Sequence, residues 1–213
     1  MRMTNVCVLT SVLLMLAALR AAESSLLIRD GTNPCCAYGN GTTFNISNLF
    51  AWPVSVEGRG VGGVYMYEWS CGGQNLPAGC VAQNSRRNPA VCQRRHPPPY
   101  AGAPYFDAGD VPGALWFADF NGGLSANVTW VIVYPNTPTM QTHSPDGGSI
   151  RVSRITFVVD PSVAEPEITM DGEGPYTEYS FTVRGKCIGQ PQVNSVGEMG
   201  FCDPATASFT LAD

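Results

Sequence analysis

"GGSIRVSRITFVVDP", residues 147–161, reads as a β-strand. Counted in twos, one row holds Arg151, Ser153, Ile155, Phe157 and Val159, and the other holds Val152, Arg154, Thr156 and Val158. A period of two with one apolar row belongs to a strand that lays one face on a core. The apolar row starts on a cation, so Arg151 is either a solvated strand end or a fixed planar donor aimed into a pocket.

Outward from this segment the same texture repeats. "TFNISNLF", "GVYMYEWS", "GALWFADF", "NVTWVIVY" and "EYSFTVRG" are short runs rich in β-branched and aromatic residues. Glycine-rich punctuation such as "EGRGVGG" (57–63), "FNGG", "SPDGG" and "MDGEGP" (170–175) predicts turns between them. No stretch keeps helical spacing. The fold class expected is all-β, a disulfide-containing β-sandwich or flattened barrel. No break in composition separates a second domain, no repeat is visible, and residues 191–213 read as a loop-like C-terminal tail.

The N-terminus argues for export. Arg2 is followed by an apolar run over residues 6–19 and small residues at Ala21 and Ala22, which is the pattern of a signal peptide, placed at 1–22. The run is shorter than the roughly 20 residues of a spanning helix, so no membrane span is expected. Without Arg2 and Arg20 the 12 basic residues become 10 against 17 acidic ones, a mature charge of −7 that disfavours nucleic acid as a partner. Seven cysteines follow the leader: Cys35, Cys36, Cys71, Cys80, Cys92, Cys187 and Cys202. In an exported chain they read as a disulfide framework with one left over. Sequons at Asn40, Asn45 and Asn127 fit N-glycosylation in the same compartment.

Catalytic signatures are missing from the sequence. It has no G-x-S-x-G, H-E-x-x-H, C-x-x-C or phosphate-cradling glycine loop, and its 2 histidines, His96 and His143, limit triads and metal sites. The expectation is a non-enzyme without cofactor or metal. Vicinal Cys35-Cys36 and the acidic turn 170–174 each admit a metal reading. The turn lacks the alternating oxygen ligands of a calcium loop, and one of the vicinal pair is expected in a long-range disulfide. "RRHPPPYAGAPY", 94–105, reads as a structured surface loop.

Binding chemistry is the remaining reading. Gln93 directly follows a cysteine that can anchor its backbone, Arg151 opens the apolar row, and "GEGPYTEYSFTV" offers Glu173, Tyr176, Glu178 and Tyr179 at the start of a strand. Amide, guanidinium, carboxylate and phenol together suit vicinal hydroxyls, which both donate and accept.

The order of landmarks carries a resemblance. "CCAYGNGTTFNISNLF", "VYMYEWSCGG", "AVCQ", "RVSRITFVVD" and "EYSFTVRGKC" follow one another as in the mannose 6-phosphate receptor homology (MRH) domain, a family of β-sandwich lectins of the secretory pathway. The chain resembles that family over about residues 30–190, nearly the whole mature length. The resemblance implies a mannose site of Gln93, Arg151, Glu173 and Tyr179. Glu173 is preferred to Glu178, which would point to the other face of the strand. It also implies a bridge from Cys35 or Cys36 to Cys71 and another from Cys80 to Cys92, while the departure at Val159 leaves Cys187 to pair elsewhere, with Cys202 as the candidate. Family cysteines are replaced here by Asp146, Val159 and Thr177, so one family bridge is lost as a pair.

The function implied is a lectin-like domain, lumenal (ER, Golgi, endosome or lysosome) or secreted, for terminal mannose on N-glycans, with or without a 6-phosphate. Its partners would be mannose-bearing glycoproteins. The alternative is an MRH-fold component of Golgi-to-endosome trafficking or complex assembly that binds no sugar. The loop 136–148, with His143 and Asp146, stands where phosphate contacts would lie, and it reads as solvated.

Overall fold

The computed structural model describes residues 25–39, 42–47, 49–83, 88–98, 103–118, 128–135, 151–174, 177–186, 188, 192–193 and 199–200. The expected leader, Asn40, Asn127, His143, Asp146, Tyr176, Cys187 and Cys202 lie outside these residues.

The chain is an all-β sandwich, with two disulfides among the described residues. Its strands are β1 (Ser25–Arg29), β2 (Cys36–Gly39), β3 (Thr42–Asn45), β4 (Val54–Gly60), β5 (Gly63–Trp69), β6 (Pro89–Arg95), β7 (Phe106–Asp110), β8 (Leu115–Ala118), β9 (Val128–Pro135), β10 (Val152–Val159), β11 (Glu167–Gly174), β12 (Glu178–Gly185), β13 (Gln192–Val193) and β14 (Met199–Gly200). Among the described residues one short helix, α1 (Ala78–Gln83), precedes β6. The small sheet runs β4-β5-β6-β7, and the large one β11-β12-β10-β9-β8-β1-β2-β3-β14-β13. Neighbours are antiparallel except β10 with β12 and β14 with β3. Within the segment read as a tail, β13 and β14 pair with each other, and β14 joins β3.

The row counted from Arg151 is the inner row of β10: Ser153, Ile155 and Phe157 are buried completely. Phe157 faces Trp130 on β9 and Val183 on β12. Its ring stacks on Trp130 at 3.6 Å between centroids, and Trp130 stacks on Trp116 at 5.2 Å. Trp69 of the small sheet meets Phe157 edge-on at 6.2 Å. Aromatic rings from both sheets thus interlock where the layers meet, and the edge-on contact of Trp69 with Phe157 is the geometry ring quadrupoles favour.

Two glycine-rich segments expected as turns are strands. β4 runs through Gly60, leaving only Val61 and Gly62 as the turn, and Met170–Gly174 lies inside β11. The glycines are there for packing: a Cβ on Gly58 would fall on the side chain of Met170, and one on Gly60 would fall on the carboxylate of Glu173. β11 can therefore lie close against β4 and join the edges of the two sheets. Likewise Arg94 and Arg95, expected in a surface loop, belong to β6, with the Arg94 guanidinium 5.0 Å above the Tyr105 ring.

Cys35 bonds Cys71, tying the start of β2 to the end of β5, and Cys80 bonds Cys92, tying α1 to β6. Cys36 opens β2 and is buried. Of the sequons, Asn45 ends β3, half-buried, with its side-chain oxygen accepting the Ser47 N–H at 2.9 Å. No helix among the described residues is long and apolar enough to cross a membrane. Two disulfides are compatible with an oxidising compartment.

Candidate ligand-binding site

The site lies between the sheets at one end of the sandwich. Gln93 enters from β6, and its neighbours across the ladder are Tyr67 on β5 and Phe106 on β7. The Cys80–Cys92 bridge ends on the residue before it. Gln93 is 4 % exposed, so its amide needs partners inside the protein. It has them: Nε2 donates to the Tyr67 hydroxyl at 3.0 Å, and Oε1 accepts from the Tyr179 hydroxyl at 3.2 Å. An amide has two N–H groups and two lone pairs on oxygen, so one of each remains beyond this clamp.

Tyr179 comes from β12, where it faces Ser153 on β10 and Glu173 on β11. Burial pushes its phenol up to about 12, opposed by the Arg151 guanidinium and reinforced by Glu173. Burial pushes the Tyr67 phenol still higher, opposed by the Gln93 bond. Both hydroxyls stay protonated donors at any physiological pH. Just before β12, Thr177 takes a φ of 60° and its carbonyl accepts the Val152 N–H at 3.1 Å, which sets the start of β12 beside β10.

Glu173 reaches the same space because β11 changes parity. Ile168 faces Val183 and Met170 faces Phe181, so the even residues of β11 point inward with their buried partners. The register then shifts between Met170 and Gly172, and Glu173 faces Tyr179. One extra residue re-aims the strand. Gly172 accommodates the bulge with a φ of 150°, a conformation side chains resist, and Asp171 accepts a bond from the Thr182 hydroxyl at 2.7 Å. The Glu173 carboxylate accepts the Val61 N–H from the β4–β5 turn at 2.6 Å.

Arg151, half-buried, lies over the Phe106 ring at 4.7 Å. That contact places a guanidinium beside the strand pair that carries Gln93. Ser153, next on the same row, ties β10 to β7 by donating to the Ala108 carbonyl at 2.9 Å.

All four residues anticipated from the sequence therefore meet: Gln93 and Tyr179 in direct bond, Glu173 opposite Tyr179, and Arg151 within electrostatic reach of Tyr179. Glu178 sits one residue before Tyr179, facing Gly174. Sequence reasoning missed Tyr67, Tyr65 and Phe106. The alternation Tyr65, Tyr67, Trp69 in "VYMYEW" marked one face of β5 and could have found the first two. Chemically the constellation offers donors and acceptors of fixed pose and one anion, suited to recognising hydroxyl groups. Among the described residues, no three of the His, Cys, Asp and Glu type gather as a metal cluster.

No protein-family model matches the chain, and no curated protein matches it.

The phenols predict an alkaline limit to stability. Burial raises Tyr67, Tyr134 and Tyr179 in the folded state, whereas unfolded tyrosine ionises near 10. Their contribution is whole below the unfolded value and is lost as pH rises through about 10 toward 12. Each phenol that keeps its proton while the unfolded chain ionises lowers stability by about 1.4 kcal/mol per pH unit. Urea midpoints should hold steady up to about pH 10 and then fall, less steeply in Tyr67→Phe. A midpoint unchanged to about pH 11 would contradict the burial of these hydroxyls.

Proposed function

We propose that this chain is a lectin of the MRH type, binding terminal mannose on N-glycans in the secretory pathway or after secretion. The observation that carries the reading is the meeting, at one end of the sandwich, of Gln93 from β6, Arg151 from the residue before β10, Glu173 from β11 and Tyr179 from β12. These are the four residues that the landmark resemblance names, and they come from three separate stretches of the chain: Gln93, Arg151, and Glu173 with Tyr179. An amide with one donor and one acceptor left over, a guanidinium and a carboxylate can bracket vicinal hydroxyls, and the pyranose ring can lie against aromatic walls. The domain acts by binding alone, without catalysis and without a metal. Arg95, exposed two residues beyond Gln93 and paired with Tyr65, supports testing phosphorylated ligands as well.

The test is glycan-array binding of the secreted, oxidised chain, with high-mannose and mannose 6-phosphate glycans at neutral pH. Wild type should bind, and Gln93→Ala/Arg151→Ala should lose at least tenfold in affinity, as expected when hydrogen bonds to polar ligand groups are removed. Absence of binding by the wild type would favour the other reading, an MRH-fold trafficking or assembly component that binds no sugar.

A further inference from the structure

The β4–β5 hairpin touches the site through its main chain. Gly60 and Gly63 face each other across the ladder, so Val61 and Gly62 are the two central residues of the turn. Gly62 takes a φ of 90°, as the second central residue of a type II turn does, and Val61 does not have a positive φ. The turn is held from both sides. Its Val61 N–H donates to Glu173 Oε2 at 2.6 Å, and its Val61 carbonyl accepts from the Tyr65 hydroxyl at 3.0 Å. Val61 is 75 % exposed, so its side chain contributes little packing here. Gly60 leaves the room that the carboxylate fills, because a Cβ there would fall on Glu173 Oε2 and lie 3.1 Å from the Tyr67 hydroxyl.

We propose that the Val61 amide is a positioning group for ligand recognition: it holds one oxygen of Glu173 so that the other faces the ligand, and Gly60 keeps that place open. The inference rests on the lectin reading for its ligand, but its geometry does not. Glu173 stands on β11, an edge strand, immediately after a bulge, so the strand alone leaves its side chain poorly fixed. A charge-assisted bond from an amide in the opposite sheet supplies the missing constraint.

Val61→Pro is a narrow test. Proline lacks the N–H and suits the first central position of a type II turn, so it removes the bond while keeping the turn. Val61→Ala keeps the N–H and serves as the control. With methyl α-mannopyranoside as probe, Val61→Pro should bind about tenfold more weakly and Val61→Ala like wild type. If the amide acts through the carboxylate, Val61→Pro should add nothing in a Glu173→Ala background. Gly60→Ala, which intrudes on the carboxylate without touching the N–H, should weaken binding in the same non-additive way. Full additivity, or wild-type affinity in Val61→Pro, overturns the proposal.

A ligand-free readout separates this idea from the lectin reading. The Val61 amide proton resonance should move upfield in Glu173→Ala, because a short bond to a carboxylate is lost. An unmoved resonance overturns the positioning role whether or not sugar binds. A moved resonance in a protein that binds no mannoside upholds the contact and refutes the lectin function with the ligand role built on it.

Discussion

Phe157→Ala should lower the unfolding free energy by about 3–5 kcal/mol, the range for deleting a buried aromatic ring. The ring is wholly buried on the central part of β10, stacked within 8° of parallel on Trp130 and met edge-on by Trp69 from the other sheet. Its surroundings cannot collapse into the space. Trp130 and Val183 flank it on ladder-bonded strands, and the indoles are themselves wedged by Trp116, Phe50 and Trp52. Lost apolar transfer and an unfilled cavity therefore add together. Against a total of about 5–15 kcal/mol for ordinary domains, such a loss leaves the fold marginal. Phe157→Leu, which keeps most of the apolar volume, should lose distinctly less. Urea unfolding followed by tryptophan fluorescence measures both, and a loss under about 1 kcal/mol for the alanine variant would show that the stack does not hold the sheets together.

The second large effect belongs to the Cys35–Cys71 bridge. Its cysteines are 36 residues apart, and those of Cys80–Cys92 are 12 apart. In the chain-entropy account the longer loop confines the unfolded state more, which gives about 4 kcal/mol for the first bridge and about 3 for the second. The structure widens the difference. Cys35–Cys71 joins the large sheet to the small one, with both residues in the main core, whereas Cys80–Cys92 sits in a small cluster with Leu76 and Tyr105. Cys35→Ala/Cys71→Ala should thus unfold at lower urea than Cys80→Ala/Cys92→Ala. The second pair has a separate consequence. It frees the backbone just before Gln93, so under the proposed lectin function mannoside affinity should suffer more than its smaller stability loss implies. The reverse order of urea midpoints would rule out this division of labour.

How much of this was legible beforehand differs from strand to strand. β10 could be read because its rows differ sharply in polarity and because Ile155 and Phe157 sit in a continuous core. β12 carried the same signal, and β9 was legible instead as a continuous run of β-branched and aromatic residues. β4 and β11 could not be read that way, since each alternates only between exposed and half-buried positions. "EGRG" and "MDGEG" have the composition of turns, yet the glycines of β4 answer to Met170 and Glu173 across the sheet edges. Glycine marks a close approach as readily as a turn, and one sequence does not separate the two.

The site divides similarly. Landmark order named Gln93, Arg151, Glu173 and Tyr179, which the fold brings near one another, but it did not name the clamp on Gln93. Tyr67 and Tyr179 belong to opposite sheets, and nothing local to "YMYEW" or "TEYSF" says that their hydroxyls share one amide.

From the sequence by itself come the all-β class and the inner face of β10, because a period of two is a local property of the chain; which of Cys35 and Cys36 bonds Cys71 is decided only in the folded molecule. The face on which Glu173 lies is decided only in the folded molecule. Counting from Met170 in twos would place Gly172 opposite Tyr179, and the bulge places Glu173 there instead. A bulge is defined by its partner strand: two residues oppose one, Ser180, and that count does not exist until β11 and β12 are paired.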